Sequence, residues 1–253
     1  MSNSERSALV TGSTSGVGRA TAVALARRGI FVVVSGRDAT RGAQTCAMIR
    51  DAGGACELIT ADLTDVDSTR GLAEDALSAA GGTIDILVNN AGGGHFLDDT
   101  QMKPAVDVSP GDYEKVFALN ARAPFLLTAA LAPAMTAKGD GAVINVLAIS
   151  ADRGFPGVSV FGGAKAAVAS FTRTWAVEFA PAIRVNAVDL GTIRTPLHDE
   201  HADLLASMEP AIPARRIGTP EEVADAIAFL ASDTASYISG AVVPVDGGRL
   251  ATL

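Results

Sequence analysis

The stretch Thr11-Gly12-Ser13-Thr14-Ser15-Gly16-Val17-Gly18 is the strongest indication of the fold of this chain, because it joins an apolar, strand-like run to the start of a helical pattern. Its glycines allow the backbone to turn tightly, and they allow an anion to approach the free N–H groups at the start of the helix. The spacing is TGxxxGxG rather than the GxGxxG of the commoner dinucleotide fingerprint. Its place between a first strand and a first helix predicts a site for the pyrophosphate of a dinucleotide.

The rest of the chain alternates between apolar runs and helical patterns, and no linker or low-complexity segment interrupts the alternation. Continuous apolar strands separated by helices predict an α/β, doubly wound Rossmann fold, whose parallel sheet carries helices on both faces. Such sheets bind ligands at the carboxyl ends of their strands. We expect one domain over residues 1–253. The expected strands are 7–11, 31–35, 55–61, 84–89, 141–147, 183–188 and 242–245, and the expected helices are 18–28, 40–52, 67–80, 110–137, 159–179 and 220–231.

Composition narrows the classes of partner. The chain has 253 residues and a formal net charge of -8, so a basic nucleic-acid footprint is absent. Cys46 and Cys56 have neither disulfide-framework nor metal-ligand spacing, which favours a reducing cytoplasm. No apolar run is expected to be long enough to span a bilayer. We therefore predict a cytoplasmic protein that binds a small-molecule substrate, with no metal, nucleic acid or membrane partner.

Further motifs follow the glycine-rich stretch in a fixed order. Together they resemble the short-chain dehydrogenase/reductase family from about residue 6 to residue 250. The resemblance implies a seven-stranded sheet that binds NAD(H) or NADP(H). It also implies a homo-oligomer, a tetramer or a dimer, assembled through helices 110–137 and 159–179. The motifs are Asp62-Leu63, Asn89-Asn90-Ala91-Gly92, Asn120, Lys165, Arg184-Val185-Asn186-Ala187, Gly191 with Thr195-Pro196, and Asp246-Gly247-Gly248.

The resemblance also implies a set of cofactor-binding residues. In the family, the residue at Asp62 approaches the adenine, Lys165 holds the nicotinamide-ribose hydroxyls, and Thr195 reaches the nicotinamide carboxamide. The whole set is Gly12, Ser13, Thr14, Ser15, Gly16, Val17, Gly18, Arg37, Asp62, Leu63, Asn90, Ala91, Gly92, Lys165, Gly191, Ile193 and Thr195.

The end of the second strand predicts which cofactor is used. An enzyme that uses NAD has a carboxylate here for the ribose hydroxyls, whereas an enzyme that uses NADP has an arginine for the 2′-phosphate. Gly36 occupies the position of the carboxylate, and Arg37 follows it. Asp38 comes one residue late and suits the cap of the next helix. We therefore predict NADP(H) rather than NAD(H), although the second basic residue often found at the position of Ser15 is absent.

The catalytic positions of the family are Asn, Ser, Tyr and Lys, and only two of them are retained. Asn120 and Lys165 are present. The tyrosine position, four residues before Lys165, is Phe161, and the serine position, thirteen residues before that, is Ala148. The resemblance therefore implies a member that lacks the catalytic serine and tyrosine.

Replacements for the missing groups are few. Asp189 and Leu190 stand before Gly191 where the family has a small residue and proline, so we expect a carboxylate close to the nicotinamide. His95 lies in a long variable loop, 93–109, and His198 and His201 lie on an expected lid, 190–216. Ser150 and Ser159 are interpreted as turn or cap residues. The candidate catalytic set is Asn120, Lys165, Phe161, Ala148, Asp189 and His95.

Reaction chemistry separates the remaining hypotheses. Hydride addition to a ketone creates an alkoxide, for which a general acid contributes ~10²–10⁴ in rate and an oxyanion donor about 2.7–4 kcal/mol. An iminium ion already carries positive charge and needs no proton in the hydride step. The leading hypothesis is therefore an NADPH-dependent reductase of a C=N, iminium or hemiaminal centre. Two alternatives remain: a carbonyl or alcohol oxidoreductase that uses His95 or water as the acid, and a cofactor-binding protein without redox turnover.

Overall fold

The strands agree with the predicted set to within two residues at each end. The computed structural model describes residues 6–93, 103–196 and 202–252. All of the strands are parallel, and their order across the sheet is β3-β2-β1-β4-β5-β6-β7. This is the predicted doubly wound Rossmann fold. The strands are β1 Ser7–Val10, β2 Phe31–Gly36, β3 Cys56–Thr60, β4 Ile86–Asn89, β5 Gly141–Ala148, β6 Ile183–Leu190 and β7 Val242–Val245.

In the described part of the chain, the helices lie between the strands. Five of the six predicted helices are present with bounds that differ by at most two residues from the prediction. The predicted helix 110–137 is present as two α-helices joined by a turn of π-helix, Ala118–Arg122. A further short helix, α7, was not predicted. The helices are α1 Gly16–Ala26, α2 Ala39–Asp51, α3 Val66–Ala79, α4 Pro110–Phe117, α5 Ala123–Lys138, α6 Ser159–Glu178, α7 Ala202–Met208 and α8 Pro220–Leu230.

Both faces of the sheet are covered, as the apolar strands predict. Alternate residues of a strand point to opposite faces. Ala8 and Val10 of β1 therefore pack with α1, α2 and α8, while Leu9 packs with α3 and α5 on the other face. This packing leaves the carboxyl ends of the strands free of helices. The loops that carry the predicted site leave the sheet at that edge.

The central strands position the site through their register. β5 and β6 pair over eight residues, from Gly141 opposite Ile183 to Ala148 opposite Leu190. Both strands are longer than predicted, because their pairing continues past the last strongly apolar residue of the pattern. Ala148 and Asp189 consequently stand at the ends of neighbouring strands.

One run of helix is apolar enough to resemble a membrane span. Among the described residues, the 29-residue helical run Pro110–Lys138 contains an 18-residue window with a mean hydropathy of 1.3, which meets the length and composition of a spanning helix. The prediction that no apolar run reaches this length was therefore wrong. Half of that window is buried inside the fold, where Leu127, Leu131 and Met135 pack under the sheet. Burial of this kind is also found in the core helices of soluble proteins.

Candidate active site

The glycine-rich stretch forms a turn that only glycine can follow. Gly12 and Gly16 have φ angles of 64° and 51°, in the left-handed region. A Cβ on Gly18 would lie 2.3 Å from the carbonyl oxygen of Gly12 and 2.4 Å from Nδ2 of Asn90. The turn therefore brings the start of α1 against the end of β1, and it leaves the first N–H groups of α1 facing the cleft at the sheet edge.

A second turn, which follows β4, is held against the first by hydrogen bonds. Nδ2 of Asn90 donates to the carbonyl oxygen of Thr11 at 2.8 Å. Oγ1 of Thr11 accepts from the backbone N–H groups of Asn90 and Ala91, both at 3.0 Å. The motifs at residues 11–18 and 89–92, separate in the sequence, thus form one wall.

Ser13 is placed differently from its neighbours. Its side chain is fully buried, donates to the carbonyl oxygen of Val10 at 2.7 Å and accepts from the backbone N–H of Ser35 at 2.9 Å. It therefore joins β1 to β2 and does not line the cleft. Its predicted contact with the cofactor stays a prediction, and the hydrogen bonds of its hydroxyl are structural ones.

The two turns open on a cleft of about 980 Å³ along the carboxyl edge of the sheet. Every member of the predicted cofactor set except Ser13 lines it. Its volume is at the upper end for small-molecule sites. An elongated dinucleotide fits this arrangement, since the glycines leave the space that a Cβ would fill and a helix N-terminus faces it.

Arginines line one end of the cleft. Gly36 has no room for a side chain, because a Cβ there would lie 2.6 Å from Cγ2 of Thr14. Asp38 accepts from the backbone N–H of Arg41 at 2.9 Å and caps α2, as predicted, and its carboxylate also pairs with Nε of Arg41 at 2.7 Å. Arg37 and Arg41 both line the cleft. Arg41 was missed in the sequence, although a basic residue in the first turn of α2 was a signal for it.

Asp62 lies at the same end, in an exposed turn. Its carboxylate accepts from the backbone N–H of Thr64 at 2.9 Å and from the hydroxyl of Thr64 at 2.7 Å. These bonds lower the pKa of Asp62, and the nearby charge of Arg37 lowers it further. Asp62 is therefore an ionised acceptor beside the arginines.

Lys165 and Asn120 meet at the opposite end of the cleft. A Cβ on Gly92 would lie 2.9 Å from both Oδ1 of Asn120 and Nζ of Lys165, so glycine is needed between them. Asn120, in the π turn, donates to the carbonyl oxygens of Gly93 at 2.7 Å and Val116 at 2.9 Å. Asn120 is fully buried, and its hydrogen bonds to the backbone of Gly93 hold the turn after β4 in place. π turns inserted in α-helices often mark functional sites.

Lys165 is the buried cation of the cleft. Its Nζ donates to the carbonyl oxygen of Val146 at 2.8 Å, and the residue is 4% exposed. Burial lowers the pKa of Lys165 to about 8, against the opposing attraction of Asp189. The ammonium therefore gives up its proton far more readily than a surface lysine.

Phe161 lies beside this cation, and Ala148 is in the same cleft. Both line the cleft, and Nζ of Lys165 is 5.6 Å from the centroid of the Phe161 ring. Ser150 also lines the cleft, in the short helical turn after β5, and its Oγ is buried with no hydrogen-bond partner among the described residues. Ser150 lies in a turn, as interpreted from the sequence.

Asp189 is near this end of the cleft but does not line it. Its side chain is fully buried at the end of β6. Burial, followed by the negative charges of Asp152 and Asp246, raises the pKa of Asp189 to about 7. Asp189 therefore acts on Lys165 through its charge. The expectation that this carboxylate lies close to the nicotinamide stays a prediction.

Three candidate histidines, His95, His198 and His201, lie outside the residues that the structure describes. Apolar side chains that were not predicted also line the cleft: Phe155, Val158, Leu205 and Met208. No motif marked them, because they come from the loop before α6 and from α7.

Comparison with known proteins identifies the family. A family model described as enoyl-(acyl carrier protein) reductase matches residues 12–249. Cis-4-hydroxycyclohexanecarboxylate dehydrogenase from Sinomonas cyclohexanicum is 41% identical over 250 residues, which cover 98% of this chain and 97% of that protein. Cyclopentanol dehydrogenase from Comamonas sp. is 36% identical over 247 residues, 96% of each chain.

A solved structure agrees with these relatives. A short-chain dehydrogenase/reductase family protein superposes with a TM-score of 0.87 at 40% sequence identity, and the alignment covers 100% of both chains. The relatives are oxidoreductases, and the family uses NAD(H) or NADP(H). On this likeness of sequence and fold, the chain belongs to the short-chain dehydrogenase/reductase family of oxidoreductases.

Proposed function

We propose that this oxidoreductase uses NADPH to reduce a C=N bond, in an iminium ion or in a hemiaminal that loses water, at a non-standard site without the family's serine and tyrosine. One observation carries the proposal: a phenyl ring, Phe161, lies beside Lys165, and a methyl group, Ala148, lines the same cleft. Neither side chain can donate a proton to an alkoxide. A hydride acceptor that needs no proton in the hydride step, such as an iminium ion, therefore suits a site with these two side chains.

The charges around the cleft support a cationic acceptor. The face of an aromatic ring attracts a cation, and Phe161 offers such a face. The positive charge of Lys165 opposes this attraction. The repulsion between Lys165 and a cationic substrate is reduced in two ways. Burial lowers the pKa of Lys165 to about 8, and Asp189 supplies a partial counter-charge. Reduction of a permanently charged iminium ion should therefore improve as the pH rises through 8.

The bound cofactor would supply the hydride, and the chain would supply position and shielding. The turns at 12–18 and 90–92 would hold the pyrophosphate and the central part of the dinucleotide. Lys165 would bind the ribose hydroxyls, and Thr195 would orient the carboxamide. Phe155, Leu205 and Met208 would exclude water from the substrate end.

A second candidate is a carbonyl or alcohol oxidoreductase, and two observations favour it. The hydroxyl of Ser150 is unpartnered in the described structure and lies two residues from Ala148. After rotation about its Cα–Cβ bond, it would donate to a substrate oxygen. The two curated relatives described above are named as dehydrogenases of cyclic alcohols. Replacement of Ser150 by alanine lowers ketone turnover under this candidate and leaves iminium turnover unchanged under the first.

The experiment that tests the proposal follows NADPH oxidation by purified protein with three substrates: a cyclic N-methyl iminium salt, a cyclic hemiaminal and a cyclic ketone of similar size. We expect turnover of the first two at rates well above that of the ketone. Turnover of the ketone alone would contradict the proposal and establish the second candidate. Cofactor binding without turnover of any of the three would instead indicate a protein without redox activity.

The cofactor preference is tested by replacing Arg37. We expect Arg37→Ala to weaken NADPH binding roughly 10- to 100-fold, since charge-assisted hydrogen bonds contribute about 1.5–3 kcal/mol, and to leave NADH binding nearly unchanged. Fluorescence titration with each cofactor measures the two dissociation constants. Arg70→Ala, which removes an exposed arginine of α3, is the control. An equal loss of affinity for both cofactors would contradict a role at the 2′-phosphate.

The predicted homo-oligomer remains a proposal, and an aromatic surface on two helices supports it. Phe125 of α5 contacts Phe171 and Trp175 of α6, at centroid distances of 5.6 and 6.0 Å. Phe125 is 45% exposed and Val177 is 79% exposed. Apolar area of this kind on adjacent helices suits contact with a second copy.

A further inference from the structure

The turn that follows β7, residues 246–252, connects two parts of the cleft wall that come from different elements. Phe155 and Val158 belong to the loop between β5 and α6, and Leu205 and Met208 belong to α7. All four side chains line the cleft. We call the first pair the loop wall and the second pair the helix wall. The turn forms hydrogen bonds to the segments that carry both walls.

The turn itself is held in one shape by its own side chains. Oδ1 of Asp246 accepts from the backbone N–H of Gly248 at 2.8 Å, and Oδ2 accepts from the backbone N–H of Leu250 at 2.6 Å. The hydroxyl of Thr252 donates to the carbonyl oxygen of Arg249 at 2.8 Å. Arg249 therefore has a fixed place at the centre of the turn.

Arg153 joins the turn to the loop wall. Its Nη1 donates to the carbonyl oxygen of Thr252 at 2.7 Å and to that of Arg249 at 3.2 Å. Its backbone N–H donates to the carbonyl oxygen of Ile149, which lines the cleft, at 2.9 Å. Phe155 follows two residues later. Hydrogen bonds from a charged donor are stronger than those between neutral groups, so this loop is firmly tied to the turn.

Arg249 joins the turn to the helix wall. Its Nη1 donates to the carbonyl oxygen of Ala211 at 2.8 Å. Ala211 ends the short helical turn directly after α7, three residues beyond Met208. The backbone N–H of Ala214 donates to the carbonyl oxygen of Gly247 at 3.0 Å, which adds a second tie. The segment after α7 is thus fixed to the same turn as the loop wall.

Close packing accompanies these hydrogen bonds. Gly247 has a φ angle of 63°, and a Cβ there would lie 2.8 Å from Cγ2 of Ile212. Ile212 is buried in an apolar cluster with Leu205 and Ile217, against which Met208 packs. Because packed interiors transmit strain, a displacement of the turn also displaces the helix wall.

We propose that the turn 246–252 is a clamp that holds the loop wall and the helix wall at a fixed spacing, with Arg153 and Arg249 as positioning residues that set the size of substrate accepted. The two residues act in series, since one ties the loop to the turn and the other ties the turn to the segment after α7. Among the described residues, neither arginine lines the cleft, so both act through the walls. The inference rests on the proposed function for its choice of substrate.

Hydrogen exchange of the cofactor-free protein tests the connection without any substrate. We expect Arg153→Ala to speed exchange of the backbone amides of α7 about 10-fold, because α7 is tied to this residue through the turn. Arg28→Ala is the matched control. Arg28 also donates through Nη1 to a distant carbonyl oxygen, that of Ala228 at 2.7 Å, but it joins α1 to α8. Unchanged exchange of α7 in Arg153→Ala would overturn the proposal.

Kinetics with two cyclic N-methyl iminium ions that differ by one ring methylene test the effect on substrate size. In an apolar pocket, one methylene changes kcat/KM roughly 10- to 200-fold. We expect Arg249→Ala to reduce the preference between the two ions about 10-fold, through KM, by loss of one charge-assisted hydrogen bond. The kcat for the preferred ion and the dissociation constant of NADPH should hardly change.

A conservative variant and the control separate positioning from general destabilisation. Arg249→Lys keeps a charged donor for the carbonyl oxygen of Ala211 and should restore part of the preference. Arg28→Ala should keep the whole of it. A wild-type protein without preference between the two ions would contradict the clamp. A fall in kcat with the preference intact in Arg249→Ala would show a merely structural role and also contradict it.

The double variant tests whether the two arginines act in series. Arg153→Ala combined with Arg249→Ala should change the preference no more than the stronger single variant, since one broken tie already uncouples the walls. Effects that multiply would indicate two independent sites and overturn the clamp. Arg153→Met keeps the apolar length of the side chain, and it takes the place of Arg153→Ala where that variant does not fold.

Failure of this inference is distinguishable from failure of the proposed function. Hydrogen exchange needs no substrate, so its result holds whichever compound is reduced. If the wild-type protein reduces only ketones, the proposed hydride acceptor is wrong. The size comparison is then made on two cyclic ketones that differ by one methylene, and an unchanged preference in Arg249→Ala would overturn the clamp.

Discussion

The double replacement Phe161→Tyr with Ala148→Ser is expected to raise kcat/KM for a cyclic ketone by ~10²–10⁴. The tyrosine hydroxyl would extend from a ring that already lies 5.6 Å, at its centroid, from Nζ of Lys165. Lys165 would lower the pKa of that phenol, and the serine hydroxyl would steady the substrate oxygen. Steady-state oxidation of NADPH with the ketone as substrate measures the gain.

The control for this prediction is a hydroxyl placed elsewhere in the same cleft. Phe155→Tyr adds the same group to another lining residue. We expect no comparable gain from it, and we expect the double replacement to leave reduction of the N-methyl iminium ion unaccelerated. A similar gain from both variants, or no gain in the double variant, would show that Phe161 does not stand in the place of a proton donor.

Replacement of Gly18 by alanine is expected to abolish productive cofactor binding. The added Cβ would lie 2.3 Å from the carbonyl oxygen of Gly12 and 2.4 Å from Nδ2 of Asn90, so both turns of the wall must move. Overpacking of this kind costs about 1–3 kcal/mol of unfolding free energy. Loss of the aligned helix N-terminus should weaken NADPH binding at least about tenfold, which corresponds to 1.4 kcal/mol. Urea unfolding and fluorescence titration measure the two effects.

A matched variant separates crowding from the general effect of the substitution. Gly71 also lies inside a helix, α3, and a Cβ there would meet nothing within 4 Å. Gly71→Ala should stabilise the protein by up to about 1 kcal/mol, since alanine favours helix over glycine, and should leave NADPH binding unchanged. Equal behaviour of the two variants would contradict the close approach at Gly18.

The residues of the expected cofactor half of the site were recognisable in the sequence because they stand near strand ends, where the local backbone geometry limits the choice of residue. Gly12, Gly16 and Gly18 are required by local geometry, and their spacing is visible in the sequence. The boundaries of β5 and β6 were less predictable, since pairing between the strands extends both of them beyond their apolar cores. The position of Arg41 at the cleft was not predicted, because it depends on where α2 begins, directly after its N-cap Asp38.

The order of strands and helices along the chain and the glycine-rich cradle were readable from the sequence alone, as was the presence of Phe161 and Ala148 at positions where the resemblance predicts hydroxyl groups. These features depend on residue type and short spacing. The tertiary structure was needed to show that Ser13 joins two strands and that Asp189 is buried at the end of β6. The burial of Asp189 and the charges that act on it come from β5, α6 and the loops after β5 and β7. These segments are distant in sequence and meet only when parallel strands pair.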